Sequence, residues 1–253
     1  MPLQETSGNV TTDAYGGGAA VVPAYIEDVF STWLYTGTGA SQTITNGIDL
    51  STKGGLLWIK SRSSGTQSHF LVDTARGASN WLASNTTAAE DSYSLGVSSF
   101  NTTGFTLGTD SGGPITNGSG STYASWTFRK QPKFFDIVTY TGDGNSGRSI
   151  SHNLGSTPGC VIIKRTDTTS NWLVWHRGAT SVSNPYLNLN LTNAVDTYSE
   201  SLTPTSTTFI AGSSGAANDD MNASGGTYVA YLFAHNAGGF GLTGTDNVIS
   251  CGS

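Results

Sequence analysis

The groups available for chemistry in this chain of 253 residues are four histidines, two cysteines and 17 carboxylates. His69, His152, His176 and His235 lack the i, i+4 spacing that seats a metal on one helix face, and none accompanies a nucleophile motif. They are expected to be structural histidines with satisfied ring nitrogens. Cys160 and Cys251 are too few for a disulfide framework, and Cys160 opens the apolar run Cys160-Val161-Ile162-Ile163, so a buried free thiol is expected. Asn218-Asp219-Asp220, with Asp110 a hundred or so residues earlier, offers oxygen ligands of the kind calcium takes. Two adjacent acids do not usually face one ion, so a solvated loop is the expectation. Glycosidic hydrolysis would need two carboxylates about 5 to 10 Å apart, one with a raised pKa. Asp73, Glu90 and Asp91 are the acids to consider.

The elements that would have to position such groups are duplicated. Tyr35-Thr36-Gly37 returns as Tyr140-Thr141-Gly142, Ile59-Lys60 as Ile163-Lys164, Arg76-Gly77-Ala78 as Arg177-Gly178-Ala179, and Thr122-Tyr123 as Thr227-Tyr228, at offsets of about 101 to 105 residues. A unit of that size can bury its own core. The comparison weakens every catalytic reading, because a duplicated catalytic residue is expected to align. His69 and His176 have different neighbours, Asp73 meets Trp175 or a neighbour, and Glu90-Asp91 finds only a loose counterpart in Asp196. The repeated Arg76-Gly77 and Arg177-Gly178 read as turns whose guanidinium caps nearby carbonyls, and Asn85 and Asn190, each followed two residues later by Thr87 and Thr192, fit the same structural role. No catalytic, cofactor or metal residue is assigned, and the ligand-binding residues are left open.

Short β-rich runs separated by Gly, Asn and Ser recur in both copies. Leu56 to Ile59, Phe70 to Val72, Phe105 to Leu107 and Tyr123 to Phe128 are matched by Val161 to Ile163, Trp172 to Val174, Phe209 to Ala211 and Tyr228 to Phe233. The fold class expected is all-β: two tandem antiparallel β-sandwich domains of jelly-roll type, preceded by an extended N-terminal arm. The divisions are the arm at 1–29, repeat 1 at 30–130, repeat 2 at 131–236, and a Gly-rich tail at 237–253 that reads either as a closing strand or, preferably, as the first strand of a further repeat. Alternation in the last strand places Ala124, Trp126 and Phe128, and later Val229, Tyr231 and Phe233, toward a core. Ala230 and Leu232 on the opposite face would then meet another subunit or the second sheet. The joint from Arg129 to Lys133, with Pro132 inside it, is short enough to hold the domains nearly in contact, and rod-like stacking is expected. The arm, with Val21 to Ile26 and three consecutive glycines at 16–18, either drapes over a partner or is a disordered leader.

Composition limits the partners. Charged residues make up 11% of the chain, aromatic ones 10%, and the net charge is -6. Phosphate backbones need clustered Lys and Arg, and Arg129, Lys130 and Lys133 are the lone cluster, so nucleic acid is not an expected partner. No apolar run is long enough to span a membrane, and the first residues have neither a basic start nor an apolar core of a signal peptide. No membrane insertion and no cleaved export signal are therefore expected.

Several phrases carry a family resemblance: Trp58-Ile59-Lys60-Ser61-Arg62, Asp73 to Gly77, Ser84-Asn85-Thr86-Thr87, Ala124 to Lys130 and Tyr231 to Asn236. They resemble the tandem concanavalin A-like (lectin or laminin-G-like) repeat domain of tail fibres and virion structural proteins of marine phages, especially cyanophages. The resemblance covers nearly the whole chain. It implies a lectin-like tail-fibre protein that adheres to host-surface glycans, is not an enzyme, assembles as a homo-oligomer, commonly a trimer, and attaches to tail adaptor or nozzle proteins through residues 1–29. It also implies location in the virion tail after synthesis in the host cytoplasm. The competing expectations are a capsid decoration protein and a secreted polysaccharide-binding module.

Overall fold

The computed structural model describes residues 23–109, 116–198, 202–212 and 221–252. Repeat 1 supplies β1 (Phe30–Thr36), β2 (Gln42–Thr45), β3 (Gly55–Ser61), β4 (Phe70–Asp73), β5 (Asn80–Ala83), β6 (Asp91–Ser92), β7 (Val97–Asn101), β8 (Gly104–Leu107) and β9 (Thr122–Arg129). Repeat 2 supplies β10 (Phe135–Thr141), β11 (Arg148–Ser151), β12 (Pro158–Arg165), β13 (Trp172–His176), β14 (Pro185–Asn188), β15 (Asp196–Thr197), β16 (Thr208–Ala211) and β17 (Thr227–Ala234). The fold is all-β and the sheets are antiparallel. Each repeat builds a six-stranded main sheet, in the order β1-β9-β3-β4-β5-β6 and β10-β17-β12-β13-β14-β15, and a smaller sheet, β2-β8-β7 or β11-β16.

The duplication holds at the level of register. Tyr35 lies opposite Tyr123 and Tyr140 opposite Tyr228; Trp58 lies opposite Trp126 and Ile162 opposite Tyr231. The repeated Tyr-Thr-Gly phrases close one end of each unit. Tyr35 stacks on Tyr123 with centroids 5.1 Å apart and donates to the carbonyl of Thr116, and Tyr140 stacks on Tyr228 at 5.0 Å and donates to the carbonyl of Met221. Asn117 and Asn222 accept the backbone N–H of Thr38 and Asp143, each at 3.0 Å. A side chain at Gly37 or Gly142 would place its first carbon 2.4 Å or 2.1 Å from a facing carbonyl oxygen, so both positions need glycine.

Successive residues of a strand point to opposite faces, and here each face of the main sheets packs into an apolar core, although Trp33 and Leu34 of β1 stay exposed. One face packs on the repeat's own small sheet. Leu57, Ile59, Phe70, Val72 and Tyr123 meet Ile44, Val97, Phe105 and Leu107 in repeat 1, and Val161, Ile163, Leu173, Ala230 and Leu232 meet Ile150, Phe209 and Ala211 in repeat 2. The other face belongs to a core shared by both repeats: Leu56, Leu71 and Leu82 pack with Ile137, Trp172, Val229 and Tyr231. Rod-like stacking is therefore replaced by main sheets that face each other. The last strands alternate as expected: their aromatic set faces a core, and Ala230 and Leu232 meet the second sheet, but the core the aromatics face is the one shared between repeats. Trp126, Phe128, Val229, Tyr231 and Phe233 lie on the face between repeats, whereas the buried Ser125 and Thr127 share the inner face with Ile59 and Leu57. A sheet covered on both sides has no solvent face, so alternation alone does not tell which side is inward. The buried hydroxyl of Thr127 is satisfied by the Nδ2–H of Asn46 at 2.8 Å.

The joint between repeats is an aromatic knot. Phe128 approaches Phe30, Phe134, Phe135 and Phe233 with centroids between 4.9 and 6.4 Å, and Phe134 reaches Phe240 at 6.0 Å. Of the arm, residues 1–22 lie outside the described residues; Ala24 bridges Phe240, Ile26–Asp28 forms a single 3-10 turn, and Val29 is fully buried in the shared core. The tail turns back along the same core, where Phe240 is buried and Val248 and Ile249 pack, with isolated bridges at Phe240 and Asp246.

Candidate functional site

Between the repeats opens a cleft of about 390 Å³. One wall comes from repeat 1 (Ala75, Arg76, Asn80 and Glu90) and the other from repeat 2 (Thr139, Tyr140, Thr141, Thr166, Thr227 and Tyr228). Thr139 and Thr141 sit two apart on β10, so they share a face, and Thr141 pairs across the ladder with Thr227. The Oγ1 atoms of Thr227 and Thr166 are 2.6 Å apart. One wall is thus a row of hydroxyls.

The opposite wall is fixed by an ion-pair network across the interface. Asp73, at the end of β4, is fully buried; its Oδ2 accepts from Arg76 Nε at 2.6 Å and from the Tyr231 hydroxyl at 2.8 Å. Arg76 Nη1 donates to Glu90 Oε2 at 2.7 Å, and its Nη2 donates to the Tyr231 hydroxyl and to the Leu71 carbonyl. Burial alone would lower the guanidinium pKa, but Tyr231, Asp73 and Glu90 outweigh it and hold the pKa above its ordinary value. Burial, reinforced by Asp73, raises the Tyr231 hydroxyl well above its usual range. One cation faces two carboxylates, so the wall keeps a net negative charge. Glu90, whose side chain is 25% exposed, engages Arg76 through one oxygen and leaves Oε1 able to accept a further hydrogen bond. Such a cleft suits a neutral ligand rich in hydroxyls and disfavours a polyanion.

The residues singled out from the sequence distribute as follows. All four histidines accept a hydrogen bond on Nδ1: His69 from Trp58 Nε1, His152 from the Leu154 N–H, His176 from the Gly178 N–H and His235 from the Cys251 N–H. Asn85 and Asn190 do the same work, accepting the backbone N–H of His69 at 3.0 Å and of Trp172 at 2.8 Å. These two acceptor sites are equivalent, because His69 directly precedes Phe70, which pairs with Ile59, and Trp172 directly precedes Leu173, which pairs with Ile163 at the matching place in repeat 2. The two arginines part company: Arg76 is buried in the network and does cap the Leu71 carbonyl, whereas Arg177 is exposed. Asp73 is equivalent to His176 rather than Trp175, since Leu56 and Cys160 face them in the same register. Asp91 does have a counterpart: it and Asp196 hold the same position, opposite Trp81 and Tyr186, and each accepts the N–H of the following residue at 2.7 Å. The shared acid is a local cap.

Cys160 and Cys251 are free thiols, and burial pushes the Cys160 thiol up to about 12. Cys251 is the buried one, while Cys160 is partly exposed. The basic joint is structural: Lys130 pairs with the buried Asp136 at 2.9 Å, and Arg129 Nη2 donates to Gln131. Asp110 and Asn218-Asp219-Asp220 lie outside the described residues. Among the described residues, no group of three or more His, Cys, Asp and Glu side chains could hold a metal ion, and no helix is long and apolar enough to cross a membrane. Sequence reasoning missed the threonine row and Tyr231, although the exchange of Leu34 for Thr139 and of Trp126 for Tyr231 at matching positions was visible in the repeat. It also missed Asn117 and Asn222, which the phrases Asn117-Gly118-Ser119-Gly120 and Asn222-Ala223-Ser224-Gly225 would have revealed.

No curated protein and no solved structure matches this chain. A family model, described as Domain of unknown function (DUF7483), matches residues 26–245, a span that takes in both repeats and the cleft between them. The chain, with its two main sheets closed around one shared core, belongs to this DUF7483 family.

Proposed function

We propose that the chain is a phage virion structural protein, a tail-fibre module in which two fused concanavalin A-like jelly-roll repeats offer a glycan-binding cleft to the host surface. The observation that carries this reading is the hydroxyl-lined cleft between the repeats, with Thr139, Thr141 and Thr227 on one wall and Asn80 and Glu90 on the other. Neutral saccharides exchange hydrogen bonds with such hydroxyl, amide and carboxylate groups, and the net negative network excludes phosphate-rich partners. The sequence resemblance to tail-fibre repeats supports the virion setting, with residues 1–29 attaching to tail adaptor or nozzle proteins and trimers multiplying weak contacts.

The module adheres without catalysis. Asp73 and Glu90 share the Arg76 guanidinium, and hydrolysis of a glycoside needs two carboxylates in separate roles. Electron microscopy of particles labelled at this chain tests the setting: label on the tail supports the fibre, label on the head replaces it with capsid decoration, and its absence from virions removes both. Binding is tested on an oligosaccharide array with the native protein and with Thr139→Trp, which fills the cleft from an exposed position. The expected result is binding by the native protein and its loss in the variant. A native protein that binds no oligosaccharide would leave only a spacer.

A further inference from the structure

Beside the cleft lies a second hollow of about 550 Å³. The loop from Leu50 to Gly54 forms one side of it and Thr74, Phe100 and Lys130 complete it, while Ala75 lines both spaces, so the two adjoin. The carboxylates nearby are already engaged. Asp49 accepts from the N–H and hydroxyl of Thr52 and from the Ser51 hydroxyl, and Asp136 accepts from Lys130 and from the N–H groups of Ile137 and Asn153. Lys130 spends two of its three donors on Asp136 and the Ile137 carbonyl. Lys53 is exposed and makes no hydrogen bond or salt bridge among the described residues, although its charge acts on Asp49. Its ammonium keeps all its donors for a ligand. Repeat 2 fills the matching place with its own tail. Thr74 donates its N–H to the Gly55 carbonyl as Arg177 does to the Gly159 carbonyl, which fixes the correspondence. There Cys251 Sγ sits 2.7 Å from where a side chain at Gly159 would begin, and Cys251 donates its N–H to His235, which stands at the Lys130 position. The hollow is thus particular to repeat 1.

We propose that this hollow is a subsite for an acidic sugar residue, so that a glycan held in the cleft by its neutral hydroxyls continues past Ala75 and sets a carboxylate or sulfate on Lys53. The inference rests on the adhesive reading and narrows its ligand to chains that carry neutral and acidic residues in sequence. Three observations select that occupant. The unengaged ammonium offers a charge-assisted hydrogen bond, and only an anionic group returns its full strength. The Thr74 hydroxyl accepts the Gly55 N–H at 2.9 Å, which leaves its own proton for a ligand oxygen, and the partly buried Phe100 adds apolar surface for the C–H face of a sugar ring. Apolar surface with a few placed polar groups is the usual make-up of a small-molecule site. And the net negative wall of the adjoining cleft repels a chain charged at every residue, so the acid must be spaced along a mostly neutral glycan.

The test titrates methyl glucuronide, a sulfated methyl glucoside, neutral methyl glucoside and inorganic sulfate into the full chain, while NMR follows the amides of Ser51 to Gly54 and of Thr74. The better held of the two sugar acids is expected to shift those amides and to bind at least about threefold more tightly than the neutral sugar, the scale of an exposed ion pair. That difference should shrink at high salt. Lys53→Gln should abolish it, and Thr139→Trp, which fills only the cleft, should preserve it. Equal affinity for acidic and neutral sugars, a difference that survives Lys53→Gln, or inorganic sulfate held as tightly as the sugar acid overturns the subsite. The two readings fail separately. Neutral oligosaccharides lost in Thr139→Trp, with a hollow indifferent to acid, would keep the adhesive cleft and remove the subsite. A hollow that holds the sugar acid in a protein that binds no neutral oligosaccharide would do the reverse.

Discussion

Repeat 1 and repeat 2 share strand order and register, yet they differ in what the matching positions bury. Trp126 in repeat 1 is half-buried beside an apolar hollow, whereas Tyr231 at the same position is fully buried and joins Asp73 to Arg76. Lys60 keeps its ammonium within its own hairpin, on the carbonyls of Ser64 and Gln67, while the buried Lys164 reaches across to the carbonyl of Thr87. His69 stays beside Trp58, while Trp172 is fully buried and donates its indole N–H to the carbonyl of Ala83 in the other repeat at 2.9 Å. Duplication preserved the frame, and divergence of one sheet face turned two units into one body. Residues that are equivalent by register are therefore expected to respond unequally to the same substitution wherever the interface has claimed only one of them.

The sharpest way to break that comparison is to remove the two arginines in turn. Arg76→Met leaves the buried Asp73 without its cation, and breaking a buried pair in this way costs about 3 to 5 kcal/mol. Arg177→Met, at an exposed position, should leave the urea midpoint unchanged. Equal losses would mean that the network across the interface contributes no more than a surface turn. Next in size is the hydroxyl of Tyr231. Tyr231→Phe removes the buried hydroxyl that links the Asp73 carboxylate to Arg76 Nη2, with an expected loss of about 1 to 3 kcal/mol in urea unfolding, whereas Trp126→Phe at the matching site should cost much less.

A third pair sharpens the comparison from the opposite side, because there the repeats agree. Asn85 and Asn190 each accept one backbone N–H at the entry to an equivalent strand, so Asn85→Ala and Asn190→Ala should lose similar stability, about 1 kcal/mol each. The role of both asparagines was legible in the sequence, since only a shared structural task explains their repetition beside otherwise different neighbours. The all-β class and most strands were legible for the same reason: periodic apolar runs and glycine-marked turns are local properties. What was not legible is long-range. Alternation in β9 and β17 gave the two faces, but it did not show that the aromatic face meets the other repeat or that polar Ser125 and Thr127 are buried through hydrogen bonding on the opposite side. The cleft was hidden for a related reason. Its walls lie about 50 to 150 residues apart, and Glu90 and Thr227 acquire a common role only when the main sheets meet.

The smallest expected effect concerns histidines that the two repeats use in unlike ways. His69 accepts from the Trp58 indole, and His152 accepts from the Leu154 N–H, so each must keep Nδ1 unprotonated to hold its bond. Burial lowers the pKa of both; the Lys60 charge adds to the effect at His69, while the carbonyl of Thr205 and the charge of Asp136 oppose it at His152. The folded values thus lie below the unfolded one, near 6.5. Above that pH both states are neutral and the stability these rings contribute is complete. As the pH falls through about 6.5 the unfolded chain takes up protons that the folded chain refuses, so stability declines until the lowered folded pKa is passed and then levels off. Urea midpoints measured between pH 8 and 5 should show this decline, and His69→Gln or His152→Gln should each flatten part of it. A midpoint that instead rises on acidification across this window would mean that the folded rings welcome a proton, and the indole and backbone donors assigned to them would have to be reversed.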